Sequence, residues 1–467
     1  MDMVYAVGGV LAVPWLWRKR LRTGKYRTGL AGRLGFGKEV VPGAGAGVKT
    51  LLVHCVSVGE VNSVGTLLGR LLAADEGLRI VVTTGTDTGT ERARKLYGGQ
   101  VVPAPSSAGG GAGGRVFPVR FPFDFSFAVK RLLDRVRPDA IVLVELETWP
   151  NFLQIAQQRG IPVAIINGRI SDRSFPRYKL IRPVMAAMLR RVAWIGAQTE
   201  TIGERFAQLG ADRGRIEVIP TLKYDNAQVA QRVAGQEALA EAMGLGQVVS
   251  GQRPVASGGG EEIKLLVGGS TGPGEEGALL EMYGALRGEY PELRLAIVPR
   301  HPEVVPRVVE AIRRAGLTAV LRTQRPDGRQ RENGKWKREE VFVLNTMGEL
   351  RKLYALAFGV FVGRSLIKKG GGGSDMIEVA ALGKPCCFGP YTANFAEVVE
   401  MLLRQGGAVR VNGAAELTRV AGQWLAEPEG ALAMGRRARE LIQIQQEARA
   451  TERYVERLGA MLRGKGA

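Results

Sequence analysis

A β-branched run, a glycine-containing turn and an amphipathic helix follow one another repeatedly along most of this chain. That alternation admits few folds, because strands joined by helical crossovers lie parallel and need helices on both faces of their sheet. An α/β architecture follows. One set of strand candidates runs through Thr50–Ser57, Arg79–Thr84, Ala140–Val144, Pro162–Ile166 and Trp194–Ala197, with helices starting near Val61, Thr90, Phe127 and Phe152. A second set runs through Lys264–Gly268, Leu293–Val298, Val341–Leu344, Val360–Val362 and Pro385–Phe388, with helices starting near Glu275, Glu303, Met347, Asp375 and Ala393. Between them Gly244–Glu262 (GLGQVVSGQRPVASGGGEE) is rich in Gly, Ser and Pro and reads as a linker. The expected organisation is an amino-terminal segment 1–35, a Rossmann-like domain 36–243, the linker 244–262 and a second Rossmann-like domain 263–467, the two domains facing one another across a cleft.

The formal charge of +20 implies an anionic partner, whether nucleic acid, a phospholipid surface or a phosphorylated substrate. Three cysteines, two of them adjacent (Cys386, Cys387), make no disulfide framework and suit a reducing compartment. Only His54 and His301 are present, which excludes a histidine-rich metal site. Residues 3–17 are apolar (MVYAVGGVLAVPWLW), and Arg18, Lys19, Arg20, Arg22, Lys25 and Arg27 come directly after. A spanning helix needs about 20 apolar residues. This stretch is shorter and carries Pro14, so it reads as an anchor that dips into the bilayer, with Trp15 and Trp17 at the interface and the basic run on anionic lipid. The charges follow the apolar run, the reverse of a secretory signal. A buried first helix capped by solvated arginines is the alternative. Two more low-complexity stretches, Pro103–Gly114 and the charged Thr323–Glu340, read as surface loops. No recognised binding module accompanies the charged stretch, so no nucleic acid is expected as partner.

In an open α/β sheet ligands collect at the carboxyl ends of the strands. The first such position is VSVGE (Val56–Glu60), where Glu60 opens a helix; it either complements the helix N-terminus or deprotonates a hydroxyl. TTGTDTGTE (Thr83–Glu91) is a hydroxyl- and glycine-rich turn that offers N–H groups to an anion. VELETWPN (Val144–Asn151) ends a strand with Glu145 and Glu147, whose spacing puts both on one face if the strand persists, which favours a perturbed pKa in one of them. In the second half, GGSTGPGEE (Gly268–Glu276) is a glycine turn without the lysine of a P-loop, and PRHPE (Pro299–Glu303) places Arg300 where a guanidinium takes a phosphate in bidentate fashion. NTMGEL (Asn345–Leu350) and GGSDMIE (Gly372–Glu378) each open a helix, and Glu378 either accepts from ribose hydroxyls or complements the dipole.

Ten motifs in order and at plausible spacing carry a family likeness: VSVGEVNS, VELETWPN, INGRISDRSFPRYK, AQTE, LKYD, GGST, VPRHPE, TMGEL, AALGKP and GPYTANF. Together they resemble the 3-deoxy-D-manno-octulosonic acid (Kdo) transferases, lipid A glycosyltransferases of Gram-negative-type bacteria, over about the whole chain. The resemblance implies a GT-B fold, a last helix able to pack back on the first domain, and no cofactor. It implies transfer of Kdo from CMP-Kdo to a hydroxyl of a lipid A precursor, inverting and metal-independent, at the cytoplasmic side of the inner membrane. By the same resemblance Glu60 is the general base, Glu145 and Lys223 stabilise the transition state, and Pro299, Arg300, Met347, Gly348, Glu349, Asp375, Met376, Ile377 and Glu378 contact CMP. The chemistry of the residues agrees. The sugar of CMP-Kdo is activated through one phosphodiester, so the leaving CMP can be stabilised by Arg, Lys and helix N-termini, and no D-x-D metal motif occurs. The chain departs from the family pattern at Ser374-Asp375-Met376, where Gly-Gly is normally followed by His-Asn-Pro, and at Gly272, Asn345 and Tyr391. Two rival readings stay open: a GT-B transferase of another nucleotide sugar, and a non-catalytic basic lipid- or nucleic-acid-binding protein on this scaffold.

Overall fold

A computed structural model describes residues 2, 32–37, 47–98, 115–245, 263–324, 337–368 and 371–464. The anchor expected at 3–17 and its basic run, the loop 103–114, most of the linker 244–262 and residues 325–336 lie outside the described residues. Among the described residues no helix is long and apolar enough to cross a membrane.

The chain forms two compact units, Met1–Asn226 with Ala448–Ala467, and Ala227–Glu447. The crossing at Ala227 precedes the glycine-rich stretch, so the helix Gln236–Met243, expected at the end of the first domain, belongs to the second unit. In the first unit seven parallel strands, β1 (Lys49–Cys55), β2 (Leu78–Thr84), β3 (Val116–Arg120), β4 (Ala140–Val144), β5 (Val163–Gly168), β6 (Trp194–Ala197) and β7 (Ile216–Val218), lie in the order β3-β2-β1-β4-β5-β6-β7. Side chains alternate across the sheet. Leu51, Val53 and Cys55 enter one core with the helix Gly65–Ala74, while Leu52 enters the opposite core with the helices Ser126–Val136 and Pro150–Gln158. The second unit repeats the plan with β8 (Lys264–Thr271), β9 (Leu293–Pro299), β10 (Thr318–Leu321), β11 (Glu340–Val343), β12 (Gly359–Val362), β13 (Cys386–Phe388) and β14 (Val409–Arg410), all parallel and ordered β10-β11-β9-β8-β12-β13-β14.

The carboxyl-terminal helix Ala450–Leu462 completes the first unit. Tyr454, Leu458, Met461 and Leu462 join the core beneath β1, and the buried Tyr454 Oη accepts the Asn167 N–H at 2.8 Å. Thr451 N donates to Asp225 Oδ2 at 2.6 Å, and Arg453 and Arg457 both pair with Glu217. Removing the hydroxyl strands the Asn167 N–H in a dry core, so Tyr454→Phe should cost about 1–3 kcal/mol. Scanning calorimetry checks it, and an unchanged melting temperature would contradict the assignment.

Candidate active site

Neighbouring strands feed opposite directions between β1 and β4 in the first unit, and between β8 and β12 and again between β9 and β11 in the second. Crevices open at the carboxyl ends of such strand pairs. The acids singled out in the first half stand at one of them.

Glu60 sits in the first turn of the helix Val58–Ser63, only 8 % exposed. Its carboxylate accepts the Val56 N–H at 2.8 Å on Oε2, and the Ser57 N–H at 3.2 Å and hydroxyl at 2.8 Å on Oε1. The capping reading holds, for the carboxylate caps its own helix and stands fixed at the switch point. Burial lifts its pKa above the usual carboxylate range, the Val56 and Ser57 hydrogen bonds oppose this, and Glu145 adds to the rise. A lifted carboxylate is a stronger base when ionised.

Glu145 follows β4 in the left-handed conformation, φ 64°, with its N–H on Ile166 O at 3.0 Å. Non-glycine residues hold that conformation at a cost, and such strain collects at functional sites. Glu147, half-buried, is pushed up to about 8 by burial first and then by Glu60 and Glu145. The strand ends at Val144, so the condition for a shared strand face is not met; the raised acid of the pair is Glu147, through burial first, and the family likeness did not single it out. Tyr178, from the helix Phe175–Leu180, is raised by burial and by the charge of Glu147. His54 is no rival base: it is fully buried against Phe121 and burial drives it down to about 3.

Lys223 begins the short helix Lys223–Asn226, whose Asn226 Nδ2 donates to Ser63 O at 2.8 Å and so ties it to the helix of Glu60. The TTGTDTGTE turn is already committed. Thr86 Oγ1 accepts the Gly89 N–H and donates to Val56 O, while Asp87 pairs with Arg120 at 2.6 Å. Its anion-binding reading is set aside.

The linkage sign for Glu147 is direct. Its folded pKa of about 8 lies above the ordinary 4.5, so its favourable contribution is complete below about pH 4.5 and is lost as pH rises through 8. Glu147→Gln should then be more stable than the wild type at pH 9, by about 2 kcal/mol allowing for partial exposure, with the gap closing toward pH 5. Paired denaturant melts at both pH values check it; a gap independent of pH would contradict it.

In the second unit Pro299 closes β9, and the exposed Arg300 follows with its N–H on Thr271 O at 3.0 Å. Tyr354 lies fully buried beneath β8, where a Cβ on Gly269 would come within 2.1 Å of its Oη. Burial raises this phenol, the charges of Glu378 and Asp375 and the Cys386 thiol add to the rise, and Arg300 opposes it. Glu378 is pushed up to about 7 by burial first and by Asp375, with Arg351 opposing. Asp375 is exposed and accepts the Ile377 N–H at 3.0 Å. Met376 and Ile377 are 0 % and 1 % exposed, so their side chains belong to the core and only their backbone can meet a ligand. In the TMGEL turn Met347 is 81 % exposed and Gly348 is left-handed at φ 87°. Glu349 pairs with Arg322 at 3.2 Å and accepts the Thr346 hydroxyl at 2.5 Å. Burial pushes this carboxyl up, but those two partners hold it below the usual range.

Both units thus carry polar machinery at their switch points. Residues 28–226 match the family described as 3-deoxy-D-manno-octulosonic-acid transferase (kdotransferase). The transferase of that name from Bordetella pertussis is 30 % identical over 440 residues, 93 % of this chain and 93 % of the relative. That from Haemophilus influenzae is 30 % identical over 397 residues, 85 % of this chain and 83 % of the relative. The chain belongs to the Kdo transferase family. Among solved structures, a glycosyltransferase from Rickettsia africae matches 89 % of this Kdo transferase chain and 98 % of its own with TM-score 0.54 at 12 % identity. Anabaena HepE in complex with UDP matches 88 % and 100 % with TM-score 0.54 at 11 % identity. These likenesses show the GT-B fold class for the chain, as the family resemblance implied, and the two parallel sheets are those expected from the alternating strand and helix pattern.

Proposed function

We propose that this member of the Kdo transferase family moves Kdo from CMP-Kdo to a hydroxyl of a lipid A precursor, with inversion at the anomeric carbon and without a metal ion. The observation that carries the proposal is Glu60, a carboxylate fixed by three donors at the switch point of the first sheet and lifted in pKa by burial. In this reading Glu60 takes the proton of the acceptor hydroxyl. The freed oxygen bonds to the anomeric carbon, the bond from that carbon to the CMP phosphate oxygen breaks, and CMP leaves with the electron pair. Lys223 offsets charge that develops in the transition state, and Glu145 stabilises the sugar centre as positive charge grows there. Glu147 holds a proton near neutral pH, which limits repulsion among the three acids. On the donor side Arg300 meets the phosphate and Glu378 the ribose hydroxyls, with Pro299, the backbone of Met347 and Gly348, Glu349, and Asp375 to Ile377 around the nucleotide.

The acceptor is placed at the cytoplasmic side of the inner membrane. Supporting this are the charge of +20 and an exposed apolar edge on the first unit, Leu180, Ile181 and Val184, set among Arg177, Lys179 and Arg182. A donor panel tests the reading: CMP release from CMP-Kdo that persists in EDTA is expected, whereas release of UDP from a UDP-sugar with CMP-Kdo inert would shift the assignment to another nucleotide sugar. The departures at Ser374-Asp375-Met376 make that comparison informative.

A further inference from the structure

The loops after β8, β12 and β13 are held together by a carboxylate that the transfer chemistry does not use. Glu275, the first residue of the helix Glu275–Leu286, is fully buried. Its Oε2 accepts the N–H groups of Gly272 at 2.7 Å and Arg364 at 2.6 Å, and its Oε1 accepts those of Ser365 and Leu366 at 2.8 Å each. A carboxylate offers about four acceptor sites, and these bonds fill them. The two loops are so close that a Cβ on Gly363 would lie 2.6 Å from Thr271 Cα and 2.9 Å from Glu275 Oε2. Ser270, near the end of β8, and Arg364, on the loop after β12, are both left-handed, φ 51° and 57°. Conformations of that kind persist only where surrounding bonds over-determine them.

The bracing continues toward the residues read as donor contacts. Arg364 O accepts the Gly373 N–H at 2.9 Å and Gly363 O accepts the Ser374 N–H at 3.1 Å, which fixes the approach to Asp375–Glu378. Ser365 Oγ accepts the Gly389 N–H at 2.8 Å and Ser365 O accepts the Tyr391 N–H at 2.8 Å, which fixes the loop after β13. Three successive N–H groups converging on one acceptor form a nest of the sort that commonly binds a ligand phosphate. Here the chain's own carboxylate occupies it, so the nest is closed to a phosphate and serves as a joint.

We infer that Glu275 is a positioning residue for the donor: it locks the loops after β8 and β12 so that the segment Asp375–Glu378 is presented in one geometry to the nucleotide. This rests on the reading of the second unit as the CMP-sugar unit. The test is Glu275→Gln, which sets an amide NH2 against N–H groups that need an acceptor. The expected result is a CMP Kd, by titration calorimetry well below the melting temperature, weakened by ~10-fold or more, with donor KM raised and acceptor KM unchanged. Amide hydrogen exchange at residues 364–366 should accelerate, and Glu275→Asp, a carboxylate one methylene shorter, should recover part of the affinity. A folded Glu275→Gln protein that binds CMP as the wild type does would overturn the inference. Should that variant not fold, Glu275→Asp is judged by the same criterion, with wild-type CMP affinity again overturning it. Failure of the donor reading looks different: the wild type itself then binds no CMP, while faster exchange at 364–366 in the variant still reports the joint.

Discussion

Replacing Glu60 by alanine should lower Kdo transfer by ~10³-fold or more while the Kd for CMP changes by less than about 3-fold. The split follows from where the residue stands. Glu60 belongs to the first unit, whereas the groups read as nucleotide contacts belong to the second. Alanine also removes three hydrogen bonds that begin the helix Val58–Ser63, so a loss of activity alone leaves room for a folding defect. Glu60→Gln separates the two causes. Its amide oxygen still accepts part of that set, so the melting temperature should stay near the wild type while turnover falls almost as far as with alanine. Single-turnover transfer assays and CMP titration check the pair. Equal losses in transfer and CMP affinity would contradict the base assignment.

Arg300→Ala should weaken CMP binding by ~10- to 100-fold, the usual worth of a charge-assisted contact to a phosphate. The side chain is exposed at the end of β9 and only its backbone N–H is committed to the fold, through Thr271 O at 3.0 Å. Stability should therefore be little changed, which makes calorimetric CMP titration a clean readout. Arg300→Lys keeps the charge but loses the planar fork, and should fall between the two. A CMP Kd unaffected by Arg300→Ala would remove this residue from the donor site.

The strands legible in the sequence were those buried on both faces. Every residue of β2 is buried, and after Arg79 it reads as an apolar run ending in two threonines. The four strands absent from the sequence reading, β3, β7, β10 and β14, are the two edges of each sheet. They are short and part-exposed, and β3 contains Pro118, which an edge tolerates and a centre does not. Tertiary pairing decides such segments, and local pattern does not carry that information.

Candidate site residues could be found because strand ends at a switch point are where an open sheet exposes backbone and side chains. Their environment could not be found that way. That Glu147 is the perturbed acid depends on burial and on Glu60, far away along the chain. The four bonds of Glu275 join residues 89 to 91 positions apart in three cases, and the sequence marks it only as the start of a helix after a glycine turn. Met376 and Ile377 show the reverse limit, since motif position suggested ligand contact and packing assigns their side chains to the core.

Mass spectrometry of a lipid A precursor incubated with CMP-Kdo and the purified protein in EDTA tests the central claim most directly. The expected result is a product heavier by one or more Kdo residues, with CMP released in step and neither formed by Glu60→Ala. A wild-type protein that leaves the precursor mass unchanged, under conditions where CMP-Kdo stays intact, would contradict it.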